Sequence, residues 1–418
     1  MTEHGSHEPL PRLTAAQAAA RLGIKQATLY AYVSRGLLGR ERTAAGSTFD
    51  PLEVEAFARA RQRGPASGST GTRSTAAAAS AAGSPLMVLD TDLAEIADDE
   101  LFYRGRPVVE LLGRPLGEVA AWLWHGPGNA VEAGAVLLDD AALDTARALV
   151  AALPPDAALL DRIQVAVTGL AASDPLRHEA TADGLRRAGA LLLAGIPRAL
   201  SPIDAPPEAG VAEVLWPALT AEAPTAAGIR ALNAALVLLI DHDLAVSTLA
   251  ARVAASARAS GYAVATAALG AFDSPLHGNA SRAAAEVLTE IVGGTEPHRA
   301  LAVAVRDSGG VPGFGQPLYA GTDARAAALF PLIAELDGAA PVLAAVDALT
   351  AEVSGRASHL HPNIDLALGA LALAAGMRHD AGTAAFAMGR LVGWIAHALA
   401  EYEQRPMRLR PRGRYVGP

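Results

Sequence analysis

The apolar positions near the start of the chain supply one side of two short helices: Leu13, Ala18, Leu22, Ile24, Leu29 and Val33. Thr14 is a favoured N-cap residue, and Gly23 suits the turn between the helices. The pattern predicts helices over 15–22 and 26–35. Residues 37–49, which contain a glycine, suit a small wing, and Pro51 is typical of the first turn of a third helix.

A different composition follows this front module. The segment 64–84 consists almost entirely of Gly, Ser, Thr and Ala, with one charge and no large apolar side chain. Such a segment cannot bury a core, so it predicts a flexible linker with a root-mean-square reach of roughly 25 Å. The chain therefore divides into a module (1–63), a linker (64–84) and a body (85–418).

The body is rich in Ala, Leu, Arg and Glu with few β-branched runs, which predicts a mainly α fold. Residues 85–90 form the exception and suggest a short strand. No stretch reaches the roughly 18–20 uninterrupted apolar residues of a membrane span. The first residues lack the basic and apolar regions of a signal peptide, so we expect a cytoplasmic protein without a membrane partner.

The composition limits the number of domains and the kinds of chemistry that the chain can carry out. The 418 residues favour two or three domains, and the absence of cysteine excludes disulfides, thiolate nucleophiles and cysteine-zinc sites. The net charge is −9, yet residues 1–63 hold nine Lys and Arg against six acidic residues, a charge of +3. A basic front module on an acidic body hints at a nucleic-acid partner for the module alone.

Three segments of the second half place ionisable side chains beside Gly or Pro: 274–281 with His277, 311–325 with Arg325, and 361–365 with Asp365. A histidine, a cation and a carboxylate are the parts needed to take a proton from carbon and stabilise the resulting charge. Each also has a simpler interpretation. Asp365 suits a helix N-cap, and His242, between two aspartates, suits a buried histidine with satisfied hydrogen bonds.

In order, these segments resemble the active-site segments of the citrate synthase family, and residues 101–126 resemble the opening of its bacterial members. The resemblance covers about 330 residues. It implies a helical two-domain fold, with a large domain at 85–276 and 377–418 and a small domain at about 277–376. It also implies condensation of acetyl-CoA or another short acyl-CoA with oxaloacetate, giving citrate or 2-methylcitrate and CoA, without a bound metal or permanent cofactor.

The resemblance assigns roles residue by residue. His277 would stabilise the enol of the acyl-CoA, Asp365 would remove the methyl proton, and His242 would contact the keto acid. The CoA site would be lined by the backbone of Val311, Gly313, Phe314 and Gly315, and the substrate carboxylates would be bound by Arg325, Arg390 and Arg410. In the family the segment that holds Arg410 reaches the partner subunit's site, which implies a homodimer.

One family position differs. Gln316 stands where the family usually has a histidine that activates the oxaloacetate carbonyl. A glutamine can donate an amide N–H to that oxygen but cannot carry positive charge. Losing one oxyanion donor outright lowers the rate on the order of 10²–10³-fold, so a glutamine predicts a smaller reduction. Pro317 and Ala320 also replace cations that many members have, which predicts weaker CoA binding.

The front module resembles the winged helix-turn-helix of excisionases and mercury-resistance regulators. That resemblance places on or near a recognition helix and wing the residues Lys25, Gln26, Thr28, Tyr30, Arg35, Arg40 and Arg42. DNA is then a partner of the module; the alternative is a protein-contact module. A rival interpretation of the whole chain follows: a DNA-binding regulator that uses a weakly active or inactive citrate-synthase body as a ligand sensor.

Overall fold

The computed structural model describes residues 12–43, 46–62, 88–126, 138–274, 277–308 and 310–417. Within these ranges the chain forms seventeen α-helices, one short 3-10 helix and two small antiparallel sheets. The mainly α fold predicted from the composition is therefore confirmed. The predicted linker, 64–84, lies outside the described residues.

The front module contains three helices and a three-stranded sheet of order β1-β3-β2: β1 Leu13–Thr14, α1 Ala15–Arg21, α2 Gln26–Ser34, β2 Glu41–Thr43, β3 Gly46–Phe49 and α3 Pro51–Gln62. Thr14 begins α1 with a capping box to Gln17. Gly23 makes the turn after α1 at φ +62°, a conformation that glycine adopts without strain. The module has its own small core, which includes Leu13, Leu29 and Phe49.

A second sheet opens the body: β4 Ala94–Ala97, β5 Glu100–Tyr103 and β6 Arg106–Pro107. The expected strand over 85–90 is wrong for residues 88–90, which have no regular structure, and residues 85–87 lie outside the described part. The hairpin turn uses Asp98 and Asp99 at φ 51° and 62°. Hairpins favour positive φ at both turn residues, and aspartate tolerates it better than most residues.

Helices make up the rest of the body. In chain order they are α4 Leu116–His125, α5 Asp140–Ala151, α6 Leu159–Ser173, α7 Ala182–Leu200, α8 Val211–Leu219, α9 Ala226–Leu238, α10 Val246–Ser256, α11 Gly261–Phe272, α12 Ala280–Val292, α13 Pro297–Ser308, α14 Ala324–Ile333, α15 Ala339–Arg356, α16 Ile364–Ala374 and α17 Ala381–Tyr402. The 3-10 helix, Val108–Leu111, precedes α4. The division into large and small domains remains a prediction.

Helix α17 forms the centre of the body. It has the length and hydropathy of a membrane span, but 94% of its most apolar window is buried inside the protein. It packs against α7, α9, α10 and α11. A Cβ atom at Gly393 would lie 2.0 Å from the Ile240 carbonyl oxygen, so only glycine permits this approach of α17 to the segment after α9. Arg390, one turn earlier on α17, is almost fully buried and donates from Nε to the Leu239 carbonyl of the same segment.

Candidate active site

A cleft of about 650 Å³ brings together most of the residues predicted from the sequence. His242, His277, Gln316, Arg325, Asp365 and Arg390 line it, together with the loop residues Val311, Gly313, Phe314 and Gly315. They come from six separate parts of the chain. The segments after α9, α11 and α13 and the starts of α14 and α16 meet there beside α17.

Asp365 lies in the first turn of α16. Asn363 is the N-cap, because its Oδ1 accepts hydrogen bonds from the backbone N–H groups of Asp365 (3.0 Å) and Leu366 (3.4 Å). The simpler interpretation of Asp365 as the helix cap is therefore wrong. Its own Oδ1 is buried and has no hydrogen-bond partner among the described residues. Burial raises the pKa of Asp365 to about 7, while Arg325 opposes and Asp323 reinforces that rise.

His277 lies in the turn after α11, which is closed by a hydrogen bond from the Gly278 N–H to the Phe272 carbonyl at 2.9 Å. Its Nε2 lies 2.7 Å from the Ser247 Oγ. The Trp394 indole N–H, which can only donate, reaches the same Oγ at 3.3 Å. This arrangement favours a serine O–H that donates to Nε2, so the imidazole proton is on Nδ1.

The environment of His277 keeps the ring neutral. Burial, together with the charge of Arg390, lowers its pKa to about 4. The Phe272 ring packs edge-on against the imidazole, with 5.0 Å between the ring centroids. A neutral ring with an N–H on Nδ1 can donate a hydrogen bond to a developing enolate oxygen without first losing a proton.

His242 is buried, with 6% of its surface exposed, and its Nε2 lies 3.0 Å from the Tyr319 hydroxyl. Burial, Arg325 and Arg390 together hold the pKa of His242 well below its usual range. The preceding carboxylate is not its partner, because Asp241 Oδ2 pairs with His397 Nε2 at 3.0 Å. His242 is therefore a neutral histidine on the cleft wall with a tyrosine partner that the sequence did not suggest.

Two nearly fully buried arginines give the cleft its positive charge. Arg325 forms a two-point ion pair with Asp323, with Nε–Oδ1 at 3.0 Å and Nη2–Oδ2 at 2.6 Å. Arg390 donates from Nε to the Leu239 carbonyl at 2.8 Å, while its Nη1 is buried with no partner among the described residues. Burial lowers the pKa of Arg390 to about 10, so it remains a cation at neutral pH. An unpaired guanidinium nitrogen on a cleft wall suits a carboxylate ligand.

The glycine-rich loop is fixed to the start of α16. The Gly315 N–H donates to the His361 carbonyl at 2.8 Å, and the Asn363 N–H donates to the Gly313 carbonyl at 2.9 Å. Gly313 has φ +79°, and a Cβ there would lie 2.7 Å from the Leu366 Cβ, so the close contact requires glycine. Gln316 follows directly. Its Oε1 accepts from the Leu318 N–H at 3.4 Å, which leaves the amide N–H groups for a ligand.

Some predicted residues lie elsewhere. Arg410 is exposed and does not line the cleft of its own chain; the preceding Arg408 is held by the fully buried Glu401. The residues predicted to contact DNA all lie on the front module, where Lys25, Arg35, Arg40 and Arg42 are exposed. Sequence reasoning missed Ser247 and Tyr319, which bond the two site histidines. The available signals were that Tyr319 lies within the segment 311–325 and that Ser247 follows His242 by five residues.

Comparison with known proteins identifies this architecture. Residues 82–412 match the family model described as citrate synthase, C-terminal domain. The chain belongs to the citrate synthase family. It is a citrate synthase-type enzyme, a transferase.

Individual relatives agree with the family match. The chain is 33% identical to citrate synthase 2 of Bacillus subtilis over 232 residues, 53% of this chain and 60% of that relative. It is 28% identical to the 2-methylcitrate synthase of Mycobacterium tuberculosis H37Rv over 339 residues, 76% of this chain and 85% of that relative. The Thermoplasma acidophilum citrate synthase, solved in a ternary complex with carboxymethyl coenzyme A and oxaloacetate, superposes with a TM-score of 0.66 at 26% identity, covering 80% of this chain and 94% of that one.

Proposed function

We propose that this citrate synthase family member condenses an acyl-CoA with oxaloacetate, giving citrate or 2-methylcitrate and free CoA. The observation that carries the proposal is the pair formed by Asp365 and His277 in one cleft. Asp365 is a buried carboxyl group with a pKa of about 7, whose Oδ1 has no hydrogen-bond partner among the described residues, and His277 is a neutral imidazole with a pKa of about 4. A base near neutrality and a neutral hydrogen-bond donor are matched to removal of a proton next to a thioester carbonyl.

The reaction begins at the acyl group. Asp365 takes a proton from the carbon next to the thioester carbonyl, and His277 donates a hydrogen bond from Nδ1 to the oxygen on which charge develops. The apolar start of α16 keeps water from the carboxylate, which makes the base stronger towards a weakly acidic C–H group. The enol carbon then attacks the keto carbon of oxaloacetate, and hydrolysis of the resulting thioester releases CoA.

The keto acid is held by a second set of side chains in the cleft, which carry positive charge or donate hydrogen bonds. Arg390 offers its Nη1, which has no partner in the described part of the chain, to one carboxylate, and Arg325 provides a second positive charge. His242 and the amide N–H groups of Gln316 face the same cleft, where they donate to the keto oxygen. Glutamine adds a hydrogen bond but no charge, so carbonyl activation is weaker than with an imidazolium.

The acyl group is a short one. The relatives include enzymes named citrate synthase and enzymes named 2-methylcitrate synthase. Acetyl and propionyl groups differ by one methylene, and an apolar pocket distinguishes such groups by only about 1–3 kcal/mol. We therefore propose both acetyl-CoA and propionyl-CoA as substrates, with CoA as a cosubstrate rather than a permanent cofactor.

The proposal includes a homodimer of this chain. Helix α10 exposes an apolar stripe at helical spacing, with Val246 68%, Leu249 38% and Val253 45% exposed. Such a stripe suits burial against a second copy of the chain. The last residues lie along the surface past Arg408, so Arg410 is free to reach a neighbouring subunit. We propose that it binds a substrate carboxylate there.

We also propose that the front module is a winged helix-turn-helix that binds duplex DNA. Its support is the exposed position of the four cations Lys25, Arg35, Arg40 and Arg42, and the short hairpin β2–β3 beside them. The guanidinium of Arg40 lies 6.0 Å from the Tyr30 ring centroid, which links the second helix to the hairpin. The family match covers the body, so the enzyme activity is favoured over a regulator that only senses ligand.

The decisive experiment is a steady-state assay of CoA release. Purified protein is given oxaloacetate with acetyl-CoA or propionyl-CoA, and Asp365→Ala serves as the inactive control. Release that depends on both substrates and exceeds the control supports the proposal. Release no greater than the control, with both acyl-CoAs at saturation, would reject it and favour the ligand-sensing regulator.

A further inference from the structure

A buried polar network connects the C-terminal segment, residues 405–417, with the part of the body that carries His242. The segment returns to the body directly after α17 and is held there at two neighbouring positions. The Met407 N–H donates to the Ser256 carbonyl at the end of α10 at 2.7 Å. Arg408 forms a two-point ion pair with Glu401 of α17, with 2.7 Å between Nε and Oε1.

Glu401 shares its carboxylate between two arginines. Its side chain is fully buried, and Arg252 of α10 donates to the Oε2 from both Nε and Nη2 at 3.2 Å. The Nη1 of Arg252 also reaches the Nδ1 of His397, one turn earlier on α17, at 3.4 Å. An arginine N–H can only donate, so this Nδ1 accepts and the imidazole proton is on Nε2. From there it donates to the Oδ2 of Asp241 at 3.0 Å.

The network ends beside a residue of the cleft. Asp241 directly precedes His242, which faces the keto acid in the proposed mechanism. Arg252, His397 and Asp241 are each at most 2% exposed, so water cannot replace a partner that one of them loses. None of these three described residues lines the cleft. Their effect on a substrate is therefore indirect, through the position of His242.

We propose that the bound C-terminal segment positions the keto-acid site of its own chain, with Arg408 as the positioning residue. Without Arg408, the Oε1 of the buried Glu401 has no partner, and the carboxylate turns to bind Arg252 through both oxygens. The guanidinium then leaves His397, whose ring no longer holds Asp241 in place. The inference rests on the proposed function, since it concerns the keto acid of the same site.

The first test removes the ion pair at the surface end of the network. In Arg408→Ala, the KM for oxaloacetate and its Kd from isothermal titration should both rise about two- to thirtyfold, as for other residues in coupled networks. The KM for acyl-CoA should stay unchanged. Arg408→Lys keeps a positive charge beside Glu401 and should restore most of the affinity for oxaloacetate.

Arg187→Ala is the matched control for a general loss of stability. The Arg187 side chain is 31% exposed, against 29% for Arg408, and it forms a two-point ion pair with Asp174, away from the cleft. Both variants should lower the melting temperature. Arg408→Ala alone should weaken oxaloacetate binding, and equal weakening in both variants would overturn the proposal.

The second test asks whether the contacts act as one network. Arg408 and His397 share no hydrogen bond within the described part of the chain, so independent roles would multiply the effects of the two alanine variants on the Kd. In one network, the double variant Arg408→Ala/His397→Ala should bind oxaloacetate no more weakly than the weaker single variant. His397→Gln, which keeps an N–H for Asp241, should bind it more tightly than His397→Ala.

A hybrid dimer excludes a second explanation, in which Arg408 only directs Arg410 towards the partner's site. Hybrids of Arg408→Ala and Asp365→Ala subunits are isolated through a different affinity tag on each subunit. Their single site with an intact Asp365 belongs to the Arg408→Ala chain and receives Arg410 from an unaltered segment. That site should keep the raised KM for oxaloacetate. A wild-type KM in the hybrid would contradict positioning within one chain. In a monomeric protein Arg410 has no partner to reach, and the titration of Arg408→Ala decides alone.

The outcomes separate the two proposals. If wild type releases CoA and Arg408→Ala has an unchanged KM and Kd for oxaloacetate, positioning by the segment is wrong while the enzyme proposal stands. If no variant releases CoA, the enzyme proposal fails. The titration still decides the inference, since weaker oxaloacetate binding in Arg408→Ala than in Arg187→Ala supports positioning. A wild type that neither binds oxaloacetate nor releases CoA overturns both.

Discussion

The hydroxyl of Tyr319 and the Nε2 of His242 lie 3.0 Å apart, both buried, although 77 positions separate them in the chain. His242 is held neutral by burial and by two nearby arginines, so its ring keeps one acceptor and one donor nitrogen. The tyrosine fixes the ring at the wall of the cleft. Tyr319 is therefore a positioning residue for the keto-acid site.

Removing that hydroxyl should weaken oxaloacetate binding. Tyr319→Phe leaves a buried imidazole nitrogen without its partner, which costs about 1–3 kcal/mol. We expect the KM for oxaloacetate to rise roughly five- to 150-fold, with the KM for acyl-CoA unchanged. Tyr402→Phe, which loses a single hydrogen bond to the Ala259 carbonyl away from the cleft, is the control. Equal effects of both variants would show a loss of stability rather than of positioning.

The pKa of Asp365 sets how the catalytic rate depends on pH. The base acts only when ionised, and its pKa is raised to about 7. The catalytic rate should therefore fall about tenfold per pH unit below pH 7 and level off above it, in contrast to a carboxylate at its ordinary value. The pH profile of kcat measures this. A profile flat from pH 5 to 8 would mean that another group removes the proton or that another step limits the rate.

Gln316 offers a test by gain of function. Gln316→His restores a group that can carry positive charge beside the keto oxygen, so kcat should rise, by about tenfold if the ring reaches the oxygen. The KM for acyl-CoA should change little. Gln316→Ala, which removes the amide donor, should lower kcat below wild type. A loss of activity in Gln316→His would mean that the surrounding loop is arranged for glutamine.

Arg410 allows a complementation test of the shared site. If each site borrows Arg410 from the partner, a mixture of Asp365→Ala and Arg410→Ala subunits contains hybrids with one intact site. We expect such mixtures to regain activity that neither variant has alone, up to about half that of wild type per hybrid. Subunit exchange is confirmed by native mass spectrometry. Inactive hybrids after proven exchange would contradict the shared site.

The sequence predicted the parts of this fold that depend on local signals. The capping box at Thr14, the turn at Gly23 and the glycine-rich loop around Gly313 are encoded within a few residues, and all three form as those signals suggest. The catalytic candidates were found because they lie in short segments that contain Gly or Pro and resemble motifs of the family. Their meeting in one cleft agrees with the resemblance.

The missed features depend on residues far apart in the chain. Ser247 forms a hydrogen bond with His277, 30 positions away, and Arg21 forms one with Val305, 284 positions away. The sequence around each residue gives no sign of these partners. The contacts between the front module and the body, which also include the ion pair of Asp50 with Arg356, were hidden further, because the intervening linker suggested two independent parts. The strand at the start of the body was misplaced because its turn uses Asp98 and Asp99 rather than the more common glycine.

The front module gives the last prediction. Its exposed cations Lys25, Arg35, Arg40 and Arg42 should retain duplex DNA at low ionic strength, with affinity that falls steeply as salt increases, because phosphate contacts release counterions. Dimerisation through the body would strengthen retention, since two modules then act on one duplex. Changing all four to alanine should abolish retention and leave CoA release unchanged, because none of the four lines the active-site cleft. Electrophoretic mobility shifts on random-sequence duplexes over a salt series measure this. If the intact protein shows no salt-sensitive retention at low ionic strength, the module is a protein-contact domain, and its exposed cations have another role than DNA binding.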